Sequence, residues 1–395
     1  MHTNQSDLRV RMMALAIAGF VSGASVRVAE PLLPTLAEHF DVPVAEAAQI
    51  IGGFALAYGL FQLVHGPLGD RLGKLPMVGL MAVLASAMCF ASAYADTLNG
   101  LIALRVATGA TAGAIIPLSF SFVGDNVQFA DRQRVLARFI SGILMGQILG
   151  PALGGIVSEW LGWQAVFTLL GAGFLTVGVA LLSLAVGGAP EPRASVGVSV
   201  LATYRALLSS PTVRVVCAVV AVEGFFFHGA LGFVGAYLRE AFEFGDTAIG
   251  LSLAGFGVGG CLYSLTVGIL LARLGPPRMV LVAGVVLLAG FGALGLAPVG
   301  GAVAAWLVVL GFGFYMLHNT LQTRATEMAP EARGAAVSLF AFMMFSGQGA
   351  GIAVAGFGVD GGFYAELFMV SGLGLCILSV LFGRWLRSTA GQLRD

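Results

Sequence analysis

Long apolar runs alternate with short clusters of charged and turn-forming residues along the whole chain of 395 residues. Each run continues for about 20 residues or more without the polar/apolar alternation of a strand, which predicts a helix able to cross roughly 30 Å of hydrocarbon. Twelve such spans, numbered 1 to 12, are predicted at residues 12–36, 46–65, 76–95, 99–122, 135–158, 162–187, 212–238, 247–271, 278–297, 302–322, 334–358 and 362–386.

The composition favours lipid over water as the surrounding solvent. The chain is 58% hydrophobic and 10% charged, with a mean hydropathy of +0.94, so it has too few ionisable groups to cover a soluble globule of this length. Its 57 glycines suit close packing of membrane helices. The four cysteines are scattered inside apolar runs, which indicates neither disulfides nor a metal site. The expected fold class is an all-α membrane protein.

The basic residues are distributed very unevenly between the two sides of the predicted bundle. Except for Arg27, Arg105 and Arg239, every Lys and Arg lies at a terminus or in or beside a connection that follows an even-numbered span. The positive-inside rule therefore predicts a multi-pass protein of a bacterial-type inner membrane with both termini in the cytoplasm. The first run lacks a small-residue cleavage site before Glu30, so no cleavable signal is expected.

The second half of the chain repeats the first at an almost constant offset, across a polar connection from about Gly187 to Pro211. The matches, 202 or 201 residues apart, are Glu38-His-Phe40 with Glu240-Ala-Phe242, Gly66 with Gly268, Leu72-Gly73 with Leu274-Gly275, Arg132 with Arg333, Gly146-Gln147 with Gly347-Gln348, and Gly150 with Gly351. Such a repeat is typical of transporters built from two similar halves. We expect two pseudo-symmetric six-helix bundles, residues 1–187 and 212–395, joined by a cytoplasmic linker, residues 188–211, with a binding site between them near the midplane.

Three motifs carry a family resemblance. They are Gly66-Pro-Leu-Gly-Asp70-Arg71-Leu-Gly73-Lys74 after span 2, Leu101-Ile-Ala-Leu-Arg105-Val-Ala-Thr-Gly109 in span 4 and Gly146-Gln-Ile-Leu-Gly150-Pro151-Ala-Leu-Gly154-Gly155 in span 5. With twelve spans in two halves, the whole chain closely resembles the major facilitator superfamily, and the span 5 motif is similar to that of its twelve-span drug/proton antiporters. The resemblance implies export. The second half departs from the pattern, with Ala272 at the position matching Asp70, and Ile352 and Ala355 matching Pro151 and Gly154.

The motif after span 2 is expected to gate the cytoplasmic side. Asp70, Arg71 and Lys74 can pair with opposite charges in one conformational state and release them in another. Asp125, at the end of span 4, is a candidate partner for Arg71 or Lys74. The resemblance implies that Asp70 faces the start of span 11, after Arg333. The alternative is a topology signal combined with a tight turn.

The small residues of span 5 form a stripe on one side of the predicted helix. The resemblance implies that this helix lies against span 8 of the other half, so that the stripe acts as a sliding seam. Pro151 removes a backbone donor and can bend the span. The alternative is close packing without a conformational role. The stripe comprises Gly146, Gly150, Pro151, Gly154 and Gly155.

Ionisable residues inside spans are costly to bury and are therefore candidate sites. Arg27 and Glu30 are three residues apart and can neutralise each other, as a structural pair, or bind a solute. The resemblance implies a role for Arg105 in proton coupling; the alternative is a structural counter-ion for Glu30. Glu223, near the midplane of span 7, is the preferred proton carrier, with Glu30 second. His228, five residues further on, need not share its face.

Polar and aromatic residues near the predicted interface outline a solute cavity. Gln147 and Gln348 hold matching positions in spans 5 and 11, so both can face it. His318, near the cytoplasmic end of span 10, is a candidate for its inner mouth. Aromatic residues of the second half can form an apolar wall for a hydrophobic or amphipathic solute. They include Phe227, Phe256 and Tyr315.

The sequence thus predicts a secondary active transporter, a proton antiporter that exports a small hydrophobic or amphipathic compound by alternating access. The alternative is uptake of a small metabolite by proton symport or facilitated diffusion, favoured if Arg27 and Arg105 bind an anion. An enzyme is not expected, because HExxH, catalytic GxSxG and Walker motifs do not appear. The expected partners are a small molecule, protons and the bilayer, without nucleic acid, metal or cofactor, and the expected state is a monomer.

Overall fold

A computed structural model describes residues 5–186, 200–297 and 299–392. These residues fold into helices joined by short turns, with no β-strand among them. The helices are α1 (Gln5–Arg27), α2 (Leu33–Phe40), α3 (Val44–Ala47), α4 (Gln49–Leu72), α5 (Lys74–Ser92), α6 (Leu98–Ala112), α7 (Ile115–Asn126), α8 (Phe129–Leu161), α9 (Trp163–Ala185), α10 (Val200–Ser209), α11 (Pro211–Leu231), α12 (Val234–Phe242), α13 (Asp246–Gly295), α14 (Gly300–Glu327), α15 (Arg333–Val359) and α16 (Tyr364–Gln392), with a 3-10 turn at Pro330–Ala332.

Eleven helical stretches of the described chain are long and apolar enough to cross a membrane. One of them, α13, has 50 residues, or about 75 Å, which is more than twice the thickness of a bilayer core. Gly275 divides it with φ 66° and ψ 165°, so α13 supplies both span 8 and span 9. The expected all-α membrane fold of twelve spans is therefore confirmed.

The backbone repeats between the two bundles. Residues with a positive φ occur as matching pairs 202, 202 and 200 residues apart, namely Asp41 (51°) with Glu243 (57°), Gly73 (89°) with Gly275 (66°), and Gly162 (86°) with Gly362 (77°). A left-handed residue at the same turn of each half is the structural counterpart of the sequence repeat. The two six-helix bundles are thus pseudo-symmetric.

The predicted linker is partly helical. Its residues 188–199 lie outside the described ranges, and α10 occupies most of the remainder. Leu207 is buried against Val213 and Leu339, and Tyr204 Oη lies 3.4 Å from the carbonyl oxygen of Leu63. Tyr204 and Leu207 are three residues apart, so they share a helix face. This spacing of Tyr204 and Leu207 indicates a helix with one buried face, although the segment as a whole is polar enough to suggest a linker.

The ends of the molecule are named here by the chain termini. The end that holds Gln5 and Gln392 is the terminal end, and the other is the opposite end. Large apolar side chains such as Leu265, Val285 and Ile377 are exposed on the outer surface between these ends. Their exposure is expected where lipid rather than water is the solvent.

Candidate functional site

A cavity of about 270 Å³ lies between the two bundles and is lined by both. Its lining continues toward the terminal end as far as Phe120 and Gln322. The predicted site residues on its wall are Arg27, Glu30, Gln147, His228, Phe256, Tyr315, His318 and Gln348.

Arg27 and Glu30 form a buried ion pair on this wall. Arg27 Nη2 lies 2.6 Å from Glu30 Oε2, and Nε donates to both carboxylate oxygens at 3.0 and 3.1 Å. Pro31 and Pro34 oppose continuation of the helix, so α1 ends at Arg27 and the two residues are joined by a turn. The guanidinium carbon lies 4.6 Å from the ring centroid of Phe256.

Arg105 is buried among aromatic rings and lies off the cavity wall. Its guanidinium carbon is 4.1 Å from the ring centroid of Phe54, a cation–π geometry, and Nη2 donates to the carbonyl oxygen of Ser25 at 3.1 Å. In the described residues its Nε and Nη1 have no hydrogen-bond partner. The carboxylate of Glu30 is bonded to Arg27 instead, so Arg105 is not its hydrogen-bonded counter-ion in this state.

Glu223 and His318 form a second acid–base pair, which the sequence analysis did not connect. Glu223 of α11 is completely buried, and its Oε2 lies 2.8 Å from Nδ1 of His318 on α14. The imidazole stacks on Phe314, with ring centroids 4.9 Å apart and planes at 12°. Because His318 lines the cavity and Glu223 does not, Glu223 is separated from the cavity by one hydrogen-bonded side chain.

His228 and Phe227 occupy different layers of the wall. The His228 ring faces the cavity and lies 5.3 Å from both Phe227 and Phe314, measured between ring centroids. Phe227 was expected on the wall, but it is buried behind it and packs at 5.5 Å from Phe256 and 4.4 Å from Phe314. It therefore supports the cavity-lining rings from the rear.

The predicted gate residues lie at the terminal end. Lys74 pairs with Asp125, one of the two pairings anticipated for that carboxylate, and its Nζ lies 3.3 Å from Asp70. Asp70 thus pairs within its own bundle, whereas the resemblance placed it against the start of α15. Arg71 and Arg333 are exposed.

The span 5 stripe is divided between two neighbouring helices. Gly155 lies against Asp246 and Gly250 of α13, and Gly250 in turn lies against Pro151. The resemblance implied a contact with span 8 for the whole stripe, but in the structure only Pro151 and Gly155 meet α13, because Gly146, Gly150 and Gly154 lie on a neighbouring face of the helix. The backbone of α1 instead faces Gly146 and Gly150, and Val28, the residue that follows α1, faces Gly154.

The matching glycines of α15 repeat this arrangement. Gly347 and Gly351 lie against Ala221 and Phe225 of α11, and Gly349 lies against Leu56 of α4 in the other bundle. Helix α15 therefore packs between α11 and α4, as α8 packs between α1 and α13. Both helices also contribute to the cavity wall at matching positions, with Gln147 of α8 and Gln348 of α15.

A polar cluster that the sequence analysis missed joins the bundles at the opposite end. Asp246, buried at the start of α13, accepts hydrogen bonds from Thr35 at 2.7 Å and Ser158 at 2.6 Å, and Arg239 Nη2 lies 2.6 Å from it. Glu159 accepts a hydrogen bond from the backbone N–H of Thr247 at 2.7 Å. We call Thr35, Ser158, Glu159, Arg239 and Asp246 the opposite-end cluster. The signal was Arg239 itself, a lone cation on that side, which was used only to assign sidedness.

Comparisons with known proteins agree with this architecture. The family model for the Major Facilitator Superfamily matches residues 15–352, with a second match over residues 216–394. The uncharacterized MFS-type transporter YceJ of Bacillus subtilis (strain 168) is 27% identical over 368 residues, which cover 89% of this chain and 92% of that protein. The multidrug export protein EmrB of Escherichia coli (strain K12) is 28% identical over 162 residues, 41% of this chain and 32% of that protein.

A solved structure shows the same fold. It is the crystal structure of a bacterial homolog of the human lysosomal transporter Spinster, in an inward-facing and occupied conformation. The two chains match with a TM-score of 0.78 at 17% sequence identity, over 96% of each.

Proposed function

The chain belongs to the Major Facilitator Superfamily, whose members are transporters and not enzymes, and from this premise we propose that it is a proton-coupled antiporter. It exports small hydrophobic or amphipathic compounds from the cytoplasm by alternating access, as a monomer in a bacterial inner membrane. The distribution of basic residues supports cytoplasmic termini. The opposite end then faces outward, and the cavity is reached from the cytoplasm.

The observation that carries this proposal is the hydrogen bond between Glu223 and His318. Glu223 is buried, and His318 has one side on the cavity. An imidazole can accept a proton at one nitrogen and donate from the other, so His318 provides a path between the cavity and the carboxyl group. Burying an acidic side chain within a membrane costs free energy, and the acidic residues found there usually belong to a proton or ion pathway.

Exchange requires the proton and the solute to exclude each other at one site. A solute packed against His318 and Phe314 displaces water from the imidazole and closes the route to Glu223. Glu223 therefore releases its proton to the cytoplasm before the solute enters and takes up another after the solute leaves on the outside.

Alternation between the two sides follows from the contacts of the bundles. The opposite-end cluster is closed in this state and opens as the halves rock, with Gly155 and Gly250 forming the close contact about which α8 and α13 move. At the terminal end, Asp70, Lys74 and Asp125 are positioned to change partners when that end closes.

Proton exchange can be tested in proteoliposomes with an imposed pH gradient and a trapped pH-sensitive dye, using ethidium, 2-naphthamide, glucose and benzoate as solutes. Glu223→Gln is expected to retain solute binding but to lose pH-driven transport by at least about tenfold, because the amide cannot release a proton. His318→Gln should share this defect. Glu327→Gln, an exposed substitution at the end of α14, is the matched control and should transport normally.

The outcomes separate the possible mechanisms. Unchanged pH dependence in Glu223→Gln would remove Glu223 as the carrier. Movement of protons in the same direction as the solute would establish symport and replace the antiport proposal. The anion-uptake alternative relied on two cations in the cavity, and the structure brings only Arg27 to its wall.

A further inference from the structure

We propose that Arg27 is the polar anchor for the solute, and that the cavity selects a neutral, planar, apolar compound with a hydrogen-bond acceptor such as an amide or ketone oxygen. This inference rests on the proposed transport function, since it names the class of solute that the central cavity takes.

Arg27 lies on the cavity wall, and one of its guanidinium nitrogens has no acceptor among the described residues. Glu30 occupies the edge formed by Nε and Nη2, and Phe256 covers one face. Arg27 is only 3% exposed, and in the described part of the chain its buried Nη1 has no hydrogen-bond partner. A buried donor without an acceptor is energetically unfavourable. A hydrogen-bond acceptor on the solute therefore contributes more binding free energy here than at a donor that already has a partner.

The charge of the site favours a neutral acceptor. Glu30 already neutralises Arg27, so an anion at Nη1 would leave a net negative charge in a largely apolar cavity. A neutral oxygen satisfies the same donor without adding charge. Among the described residues that line the cavity, a cationic solute finds no free carboxylate, because both oxygens of Glu30 are bonded to Arg27 and Glu223 does not line the cavity.

The shape of the cavity favours a small planar body. Its volume of about 270 Å³ lies just below the range of typical ligand sites, which occupy roughly 300–1,000 Å³. Phe256, Phe314 and Tyr315 are neighbours on its wall, with ring centroids 5.4 to 5.6 Å apart. A further aromatic ring can add to this group in the stacked or edge-on geometry that aromatic pairs prefer.

Four naphthalenes of similar size, differing at carbon 2, test this preference. They are 2-naphthamide (neutral acceptor), 2-naphthoate (anion), (2-naphthyl)methylammonium (cation) and 2-ethylnaphthalene (no acceptor). Binding to the purified full-length protein in lipid nanodiscs at pH 8 is followed by naphthalene fluorescence, with the signal of empty nanodiscs subtracted. We expect the amide to bind most tightly.

Two substitutions assign the preference to the Arg27 edge. Arg27→Lys preserves a cation for Glu30 but removes the second N–H edge, so it should weaken 2-naphthamide about tenfold and leave 2-ethylnaphthalene unchanged. Glu30→Gln retains an acceptor for Arg27 but leaves its charge unbalanced, so 2-naphthoate should now bind more tightly than the amide. If Arg27→Lys does not fold, the proposal is tested by Glu30→Gln alone: tighter binding of 2-naphthoate than of 2-naphthamide supports it, and an unchanged order of affinities contradicts it.

The proposal is overturned if the unsubstituted protein prefers 2-naphthoate or the ammonium, if it does not bind the amide, or if Arg27→Lys weakens the amide and the ethyl compound equally. These measurements are made at equilibrium without a pH gradient. Loss of proton coupling in Glu223→Gln is therefore a separate result, and either proposal can fail without the other.

Discussion

Gly275 illustrates how a single residue fixes a connection between spans. Its φ of 66° and ψ of 165° lie in a region that residues with a side chain essentially avoid. This conformation turns the chain from span 8 into span 9. Gly73, at the matching turn of the first bundle, also has a positive φ, so both bundles depend on glycine at this point.

Gly275→Ala is expected to lower the free energy of unfolding by about 1–3 kcal/mol because of backbone strain, although a methyl group at this position has open space around it. Gly268→Ala, seven residues earlier in the same helix, also has open space but no positive φ, and should cause no loss. Melting temperatures of the two purified variants test this difference. Equal effects would refute the strain argument.

The sequence predicted the buried charged residues inside the spans, but it missed the buried Asp246 at the start of α13, and not all of the partners could be anticipated. Arg27 and Glu30 are close in the chain, so their pairing could be anticipated. Glu223 and His318 are 95 residues apart, and only the packing of α11 against α14 brings them together. No local pattern encodes that contact, because each residue alone is an isolated polar side chain in an apolar run.

Among the helices, α8 depends on close contacts with both of its neighbours. Four-residue spacing of glycines predicted a smooth helix face, yet it could not tell which helix that face meets. In the structure, Gly146 and Gly150 meet α1 and Gly154 meets Val28 just after it, within the same bundle, whereas Gly155 meets α13 across the interface. The spans were predictable because their length and hydropathy can be read from consecutive residues. Which helices pack against each other cannot be read in this way.

Gly155→Ala is expected to push α8 away from α13, since a methyl group there would lie 2.9 Å from the carbonyl carbon of Asp246 and 3.1 Å from the Cα of Gly250. Backbone atoms cannot yield as a flexible side chain does, so the opposite end should open more often. Spin labels at Tyr94 and Leu296, both exposed at that end, should report longer distances once Cys261 and Cys376 are replaced by serine.

Gly124→Ala is the control for this measurement, because nothing lies within 4 Å of a side chain added there. Its distance distribution should match that of the unsubstituted protein. An unchanged distribution in Gly155→Ala would show that the contact between α8 and α13 does not govern the opposite end.

For the whole molecule, the internal repeat was the strongest signal in the sequence, because two bundles with matching turns leave matching residues at a constant offset. The conformational state was not predictable in this way, since alternate states share one sequence. It is set by contacts such as the opposite-end cluster, where Asp246 of one bundle accepts hydrogen bonds from Thr35 and Ser158 of the other.

Asp246→Asn is expected to shift the molecule toward opening at the opposite end by about tenfold or more. Hydrogen bonds to a charged group contribute about 1.5–3 kcal/mol, and Asp246 accepts such bonds across the interface from both Thr35 and Ser158. The same pair of spin labels measures the shift. Asp96→Asn, exposed at the same end, should have no effect, and a shift of equal size in both variants would exclude a specific role for the cluster.

Each opening of the opposite end must break the hydrogen bonds from Thr35 and Ser158 of the first bundle to Asp246 of the second, and must expose that buried carboxylate to water. The state with the opposite end closed is therefore favoured while no solute is bound. In the orientation and direction proposed above, the cavity of an empty transporter then opens to the cytoplasm, so solute that accumulates in the cell can bind without a preceding conformational change.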